Sequence, residues 1–110
     1  MTVLRPIVLC AGLVVSLMFA QTEKSKTADA AEGKKIFEGQ CLDCHRTDST
    51  ESKVGPGLKG VHNGKLPSGK PATHDVILNV INKGSDTMPA FKELMSEQEK
   101  EDVIAFVLTL

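Results

Sequence analysis

Five consecutive residues, Cys41-Leu42-Asp43-Cys44-His45, constrain this chain more than any other feature of it. They put two thiols and an imidazole within about one turn of backbone, so the rest must fold around whatever those groups hold. Cysteines three apart on a helical turn point to the same side, and both sulfurs can then reach the two vinyl groups of one porphyrin. The histidine follows directly, where a ring nitrogen can bind the iron. C-x-x-C-H is accordingly the sequence of c-type haem attachment. Three other chemistries use parts of the pattern. A thioredoxin-like dithiol belongs beside a βαβ pattern, which is lacking here. A structural zinc site needs four ligands, and adjacent Cys44 and His45 usually point apart. A disulfide across two intervening residues closes only a short loop and adds little stability. The expected cofactor is one haem c, bound covalently through Cys41 and Cys44, with His45 on the iron.

Length shows why such a cofactor matters. The chain has 110 residues, room for one domain. Arg5 gives a positive start, and Ile7 to Ala20 is an almost wholly apolar run without a charge. About 14 apolar residues are short for a membrane span, which needs about 20, and suit the core of a secretory signal. Residues 1–20 therefore read as a signal peptide or N-terminal anchor, and Cys10 as one more apolar residue of it. Met18 is large where a small residue is preferred, whereas Ala28-Asp29-Ala30 has the small residues farther on. Cleavage as late as residue 30 stays open, as does an uncleaved membrane tether with 21–29 as linker. A domain over 30–110 has about 80 residues, near the lower limit for one unaided core. It holds no Trp or Tyr, and Phe37, Phe91 and Phe106 are its aromatics. Two cysteines allow one disulfide at most, so a large apolar cofactor is the staple that remains.

Three segments read as helix. The first runs from about Ala30 to Gln40, opened by a capping-box-like Asp29 and Glu32. The second begins after Thr73, sets Val76, Ile77, Val80 and Ile81 on one stripe, and stops at Gly84. The third opens with Ser96 and Glu99 and carries Val103, Ile104, Phe106, Val107 and Leu110. Nothing alternates strictly enough for a strand. A loop rich in Gly, Pro, Lys and Ser joins the first two helices, from about Thr47 to Ala72. So long a loop in so small a domain wraps something functional. The fold class is all-α, three or more helices around one covalently bound haem.

Met88-Pro89 supplies a second candidate ligand. A haem held by His on one face commonly takes a Met thioether on the other in electron-transfer cytochromes. Pro89 biases Met88 toward extended backbone, so that its side chain can project from the loop. A gap-filling core methionine is the rival reading, and Met95, on the approach to the third helix, is the other methionine of the domain. His62, before the turn signal Asn63-Gly64, and His74, opening the second helix, are alternatives for a bis-His haem, though both read as surface residues.

With these features in order, residues 29–110 resemble the class I cytochromes c. Gly33 and Phe37 precede the haem motif at that family's spacing, and Gly55-Pro56-Gly57-Leu58 and Met88-Pro89 follow it. A last helix then carries Val103 and Phe106 three apart. The resemblance implies that the first and last helices cross at Gly33, with Phe37 and Phe106 interlocking. It also implies that Pro56 offers its carbonyl to the ring N–H of His45, orienting the imidazole and raising its basicity. Relatives often bind the haem propionates through Trp or Tyr, which this chain lacks; Lys, Asn or Ser from the long loop are the substitutes.

Ligation by His45 and Met88 fills both axial positions, which argues against oxygen binding or bond-making catalysis and for a single-electron carrier with a positive midpoint potential. The chain is thus expected to be an electron-transfer protein and not an enzyme, exported to the periplasm, monomeric, with redox proteins as donors and acceptors. Alternatives are a haem subunit of a larger oxidoreductase and, more distantly, a haem enzyme or gas sensor with a displaceable Met88. A net charge of −1 leaves nucleic acid without an electrostatic footprint. Lys53, Lys59, Lys65 and Lys70 lie in a stretch free of acidic residues, while Glu93, Glu97, Glu99, Glu101 and Asp102 cluster near the end. That asymmetry either steers docking on an acidic partner or is simple surface solvation.

Overall fold

The computed structural model describes residues 27–110. The segment read as signal peptide or anchor, and all but the last three residues of the 21–29 linker, lie outside them. Helix α1 spans Ala30–Gln40, α2 His74–Lys83 and α3 Glu97–Val107. A single 3-10 turn, Val61–Asn63, interrupts the long loop. Among the described residues no strand forms; Lys65 and Pro71 make one isolated antiparallel bridge.

Each helix starts where a capping side chain stands. Asp29 accepts from the N–H groups of Ala31 and Glu32 at 2.9 and 3.3 Å. Thr73 Oγ1 accepts from Val76 N at 3.4 Å. At α3 the capping box is complete: Glu99 N donates to Ser96 Oγ at 3.1 Å and Ser96 N to Glu99 Oε2 at 2.8 Å. The box expected at α1 forms only in half. The N–H of Asp29 donates instead to Asp102 Oδ1 of α3 at 2.8 Å, and Glu32 pairs with Lys35. A carboxylate fixed in the tertiary structure thus displaces a local one.

Helices α1 and α3 cross in close contact, because Gly33 lies against the α3 backbone. A Cβ there would overlap the Asp102 carbonyl oxygen. One turn on, the Phe37 and Phe106 rings pack tilted by 59° with centroids 5.3 Å apart, a geometry that favours aromatic pairs beyond their buried area. Helix α2 touches α3 more sparingly. The core is small: Phe37, Val61, Ile77, Ile81, Phe91, Val103, Ile104 and Val107. Val61 enters from the 3-10 turn, which the adjacent His62 anchors by donating its N–H to Leu110 O.

Two charged residues of α3 are buried, contrary to the reading of its acidic cluster as surface. Asp102 is 5% exposed and accepts from Asp29 N and from Gln98 Nε2 at 2.9 Å. Lys100 is 1% exposed and bonds Glu97 and the Lys92 carbonyl. Both are tolerated because their polar atoms are satisfied.

Candidate haem site

The C-terminal end of α1 carries the cysteine motif. The N–H groups of Cys41 and Leu42 both donate to Phe37 O, and those of Cys44 and His45 to Cys41 O. The helix therefore continues as one more hydrogen-bonded turn, which rotates both sulfurs and the imidazole off its end. The two sulfurs are unpaired. Burial, reinforced by the neighbouring Cys44, pushes the Cys41 thiol up to about 11. A redox dithiol needs the opposite, a lowered thiol. Among the described residues no three His, Cys, Asp or Glu side chains converge as a metal cage, so the zinc reading finds no donor set.

His45 Nδ1 lies 2.8 Å from the Pro56 carbonyl oxygen, to which it donates. The bond fixes the tautomer and leaves Nε2 as the nitrogen with a free lone pair. Gly55 backs the ring: a Cβ there would sit 2.5 Å from His45 Cε1 and 2.8 Å from Nδ1. Its N–H donates to Cys44 O at 2.8 Å. The sequence marks Gly55 only as part of the Gly55-Pro56-Gly57-Leu58 run; in the structure it leaves room for the imidazole.

Met88 belongs to the segment leaving α2. Its N–H donates to Ser85 Oγ at 3.2 Å, its carbonyl accepts from Ser85 N at 2.9 Å, and Phe91 N donates to Ile81 O at 2.8 Å. These bonds fold the segment back onto α2.

Two adjoining cavities of about 240 Å³ each open between these elements. Cys41, His45, Pro56, Val80 and Met88 border both. Phe37, Leu58, Leu66, Ile77, Ile81 and Val107 make the first predominantly apolar, and Ser68 and Lys70 from the long loop stand at its edge. Every residue assigned to the cofactor from sequence, Cys41, Cys44, His45, Pro56 and Met88, lines this space. Met95 does not. His62 and His74 are turned elsewhere, bonded to Leu110 O and to Asp75 and Glu101 respectively. An apolar slot bordered by two thiols, an oriented imidazole and a thioether fits the size and chemistry of a haem.

The fold and this donor set define a c-type cytochrome. The family model described as cytochrome c oxidase, cbb3-type, subunit III matches residues 28–107. Cytochrome c6 of Thermosynechococcus vestitus is 30% identical over 104 residues, covering 94% of this chain and 89% of its own. That of Leptolyngbya boryana is 33% identical over 81 residues, covering 74% and 92%. The crystal structure of cytochrome c6 from the diatom Phaeodactylum tricornutum superposes with a TM-score of 0.60 at 27% identity, covering 74% of this chain and 93% of that one. The chain belongs to this family, the small monohaem class I c-type cytochromes. It carries one covalent haem c and transfers electrons between protein partners; it is not an enzyme.

Proposed function

We propose that this cytochrome is a diffusible single-electron carrier whose haem is bonded through Cys41 and Cys44 and ligated by His45 and Met88. The observation that carries this reading is that the two adjoining cavities are together bordered by all four side chains, with His45 already oriented by Pro56. When bound, the haem supplies an iron that accepts and releases one electron. The protein's part is to hold that iron still. His45 is fixed by its bond to Pro56 and its contact with Gly55, Met88 by the Ser85 turn. The thioether and the apolar wall favour the less charged ferrous state and raise the potential. Ser68 and Lys70 have the chemistry to meet the haem carboxylates at the cavity edge.

Export to the periplasm accords with the apolar run of residues 7–20. Among the described residues no helix is long and apolar enough to cross a membrane. A monomer with one transient docking face suits such a carrier. The description of the matching family as an oxidase subunit favours a second reading, a haem subunit held permanently by a catalytic chain. Purification separates them: the carrier runs alone as a monomer, the subunit copurifies with its enzyme.

The ligand assignment is tested with Met88→Ala. The wild-type ferric protein should show the weak near-infrared sulfur-to-iron charge-transfer band, and the variant should lose it and bind carbon monoxide when reduced. A variant that keeps the band, or stays closed to carbon monoxide, overturns the assignment of Met88.

A further inference from the structure

Lys100 is the most deeply buried charged side chain described, 1% exposed. Its Nζ donates to Glu97 Oε1 at 2.8 Å and to the Lys92 carbonyl at 2.9 Å. Neither bond explains the burial energetically. Glu97 is 81% exposed, so its attraction is screened by water, while desolvating an ammonium group costs far more than one exposed ion pair returns. An apolar residue at this position would serve the core at least as well. What the lysine adds is a fixed point on the chain between Met88 and α3.

That stretch is held in its middle by the buried Phe91 and is weakly tied beyond it. Beyond the Ser85 turn at its start, Phe91 N is bonded to Ile81 O, and the N–H groups of Leu94 and Met95 turn back on Phe91 O. The Lys92 carbonyl is the one group of residues 89–95 held by a side chain of α3, and Lys100 is what holds it. Lys92, Glu93 and Leu94 are themselves exposed, and Leu94 is 69% so despite being apolar. The segment lies on the molecule as a strap, with one end set by Ser85, its middle by Phe91 and the end nearest α3 by Lys100.

We propose that Lys100 is a positioning residue for Met88, acting through the Lys92 carbonyl to keep the strap closed and the thioether on the iron. The proposal rests on Met88 being the ligand. Without the ammonium group, water solvates the Lys92 carbonyl, the strap opens more often, and Met88 leaves ferric iron more often with it. The rest of the core loses nothing.

The test compares Lys100→Met, close in length and apolar, with Ile104→Val, which trims a residue 1% exposed elsewhere on α3. Both are made in the full haem-loaded protein. Imidazole is added to the ferric form, and its displacement of the sulfur is followed through loss of the near-infrared band. Thermal unfolding of each variant is measured alongside. Lys100→Met should speed displacement roughly tenfold or more, the scale of one lost charge-assisted hydrogen bond, with unfolding unchanged or shifted upward. Ile104→Val should lower stability and leave displacement near the wild-type rate. If Lys100→Met fails to load haem, Lys100→Gln, whose amide can still donate, carries the same comparison with a smaller acceleration. Wild-type displacement in the lysine variant overturns the proposal, as does an acceleration in Ile104→Val as large as its own. A wild-type protein without the near-infrared band would overturn the Met88 reading itself, and the proposal with it.

Discussion

At the scale of single residues, the site depends as much on side chains left out as on those present. Gly55 is the sharpest case, because its missing Cβ is the space the His45 ring occupies. Gly55→Ala should push the imidazole away from Pro56 and weaken the Nδ1–H bond that makes it a stronger donor. A weaker donor stabilises ferric iron less, so redox titration should find the midpoint potential raised. An unchanged potential would mean that the ring tolerates the methyl group without moving. The motif residues were legible in the sequence, since C-x-x-C-H and Met-Pro carry their chemistry in residue type and spacing. Gly55 was legible as part of the Gly55-Pro56-Gly57-Leu58 run but its purpose was not, because the ring it makes room for lies ten residues earlier and comes near only in the fold. Ser68 and Lys70 were hidden for the same reason. Nothing in a loop of small and basic residues marks which of them will stand at a cavity edge.

At the scale of elements, the helix boundaries could be read because each start is a local capping contact and α2 ends at a glycine. What α3 buries could not be read, since the partners of Asp102 and Lys100 come from other segments. The Asp29 N–H bonded to Asp102 lies 73 positions away, and the Lys92 carbonyl belongs to a turn with no periodicity. One further contact between helices makes a pH prediction. His74, at the start of α2, has Asp75 Oδ1 2.9 Å from Nδ1 and Glu101 Oε2 of α3 2.8 Å from Nε2. Both ring nitrogens donate only in the protonated ring. The bonds to Asp75 and Glu101 accordingly hold the His74 pKa above its ordinary 6.5. A pKa raised by folding stabilises the fold fully below the unfolded value and ceases to do so as pH rises through the folded one. The stability advantage of wild type over His74→Gln should therefore be largest near pH 6 and vanish at alkaline pH. Denaturant titrations at several pH values check this; an advantage that holds constant or grows with pH would contradict the link between α2 and α3. The effect should be small and sensitive to salt, because the ring is exposed.

At the scale of the whole molecule, the protein is a shell whose principal filling is its cofactor. Among the described residues, eight buried apolar side chains make up the core, and only α1 and α3 pack against each other extensively. Helix α2 borders the cavity with Ile77, Val80 and Ile81; Ile77 and Ile81 also join the core, and Val80, 37% exposed, is left for the cofactor to cover. Both cavities open to solvent, so without the haem water would wet their largely apolar walls, and the burial of that surface is stabilisation that so small a core lacks. A haem-free chain should then lack a closed core while retaining some contact between α1 and α3, whose crossing at Gly33 and whose Phe37–Phe106 pair are made by the polypeptide itself, although Phe37 also borders the cavity. The Cys41→Ser/Cys44→Ser double variant, purified without haem, makes that state accessible. Its circular dichroism should show reduced helix and no cooperative thermal transition, and hydrogen exchange should find the α2 amides unprotected while some in α1 and α3 remain slow. A cooperative transition near that of the haem-loaded protein would show instead that the polypeptide closes its own core. The small aromatic content and the long loop would then need another explanation than the shape of a haem.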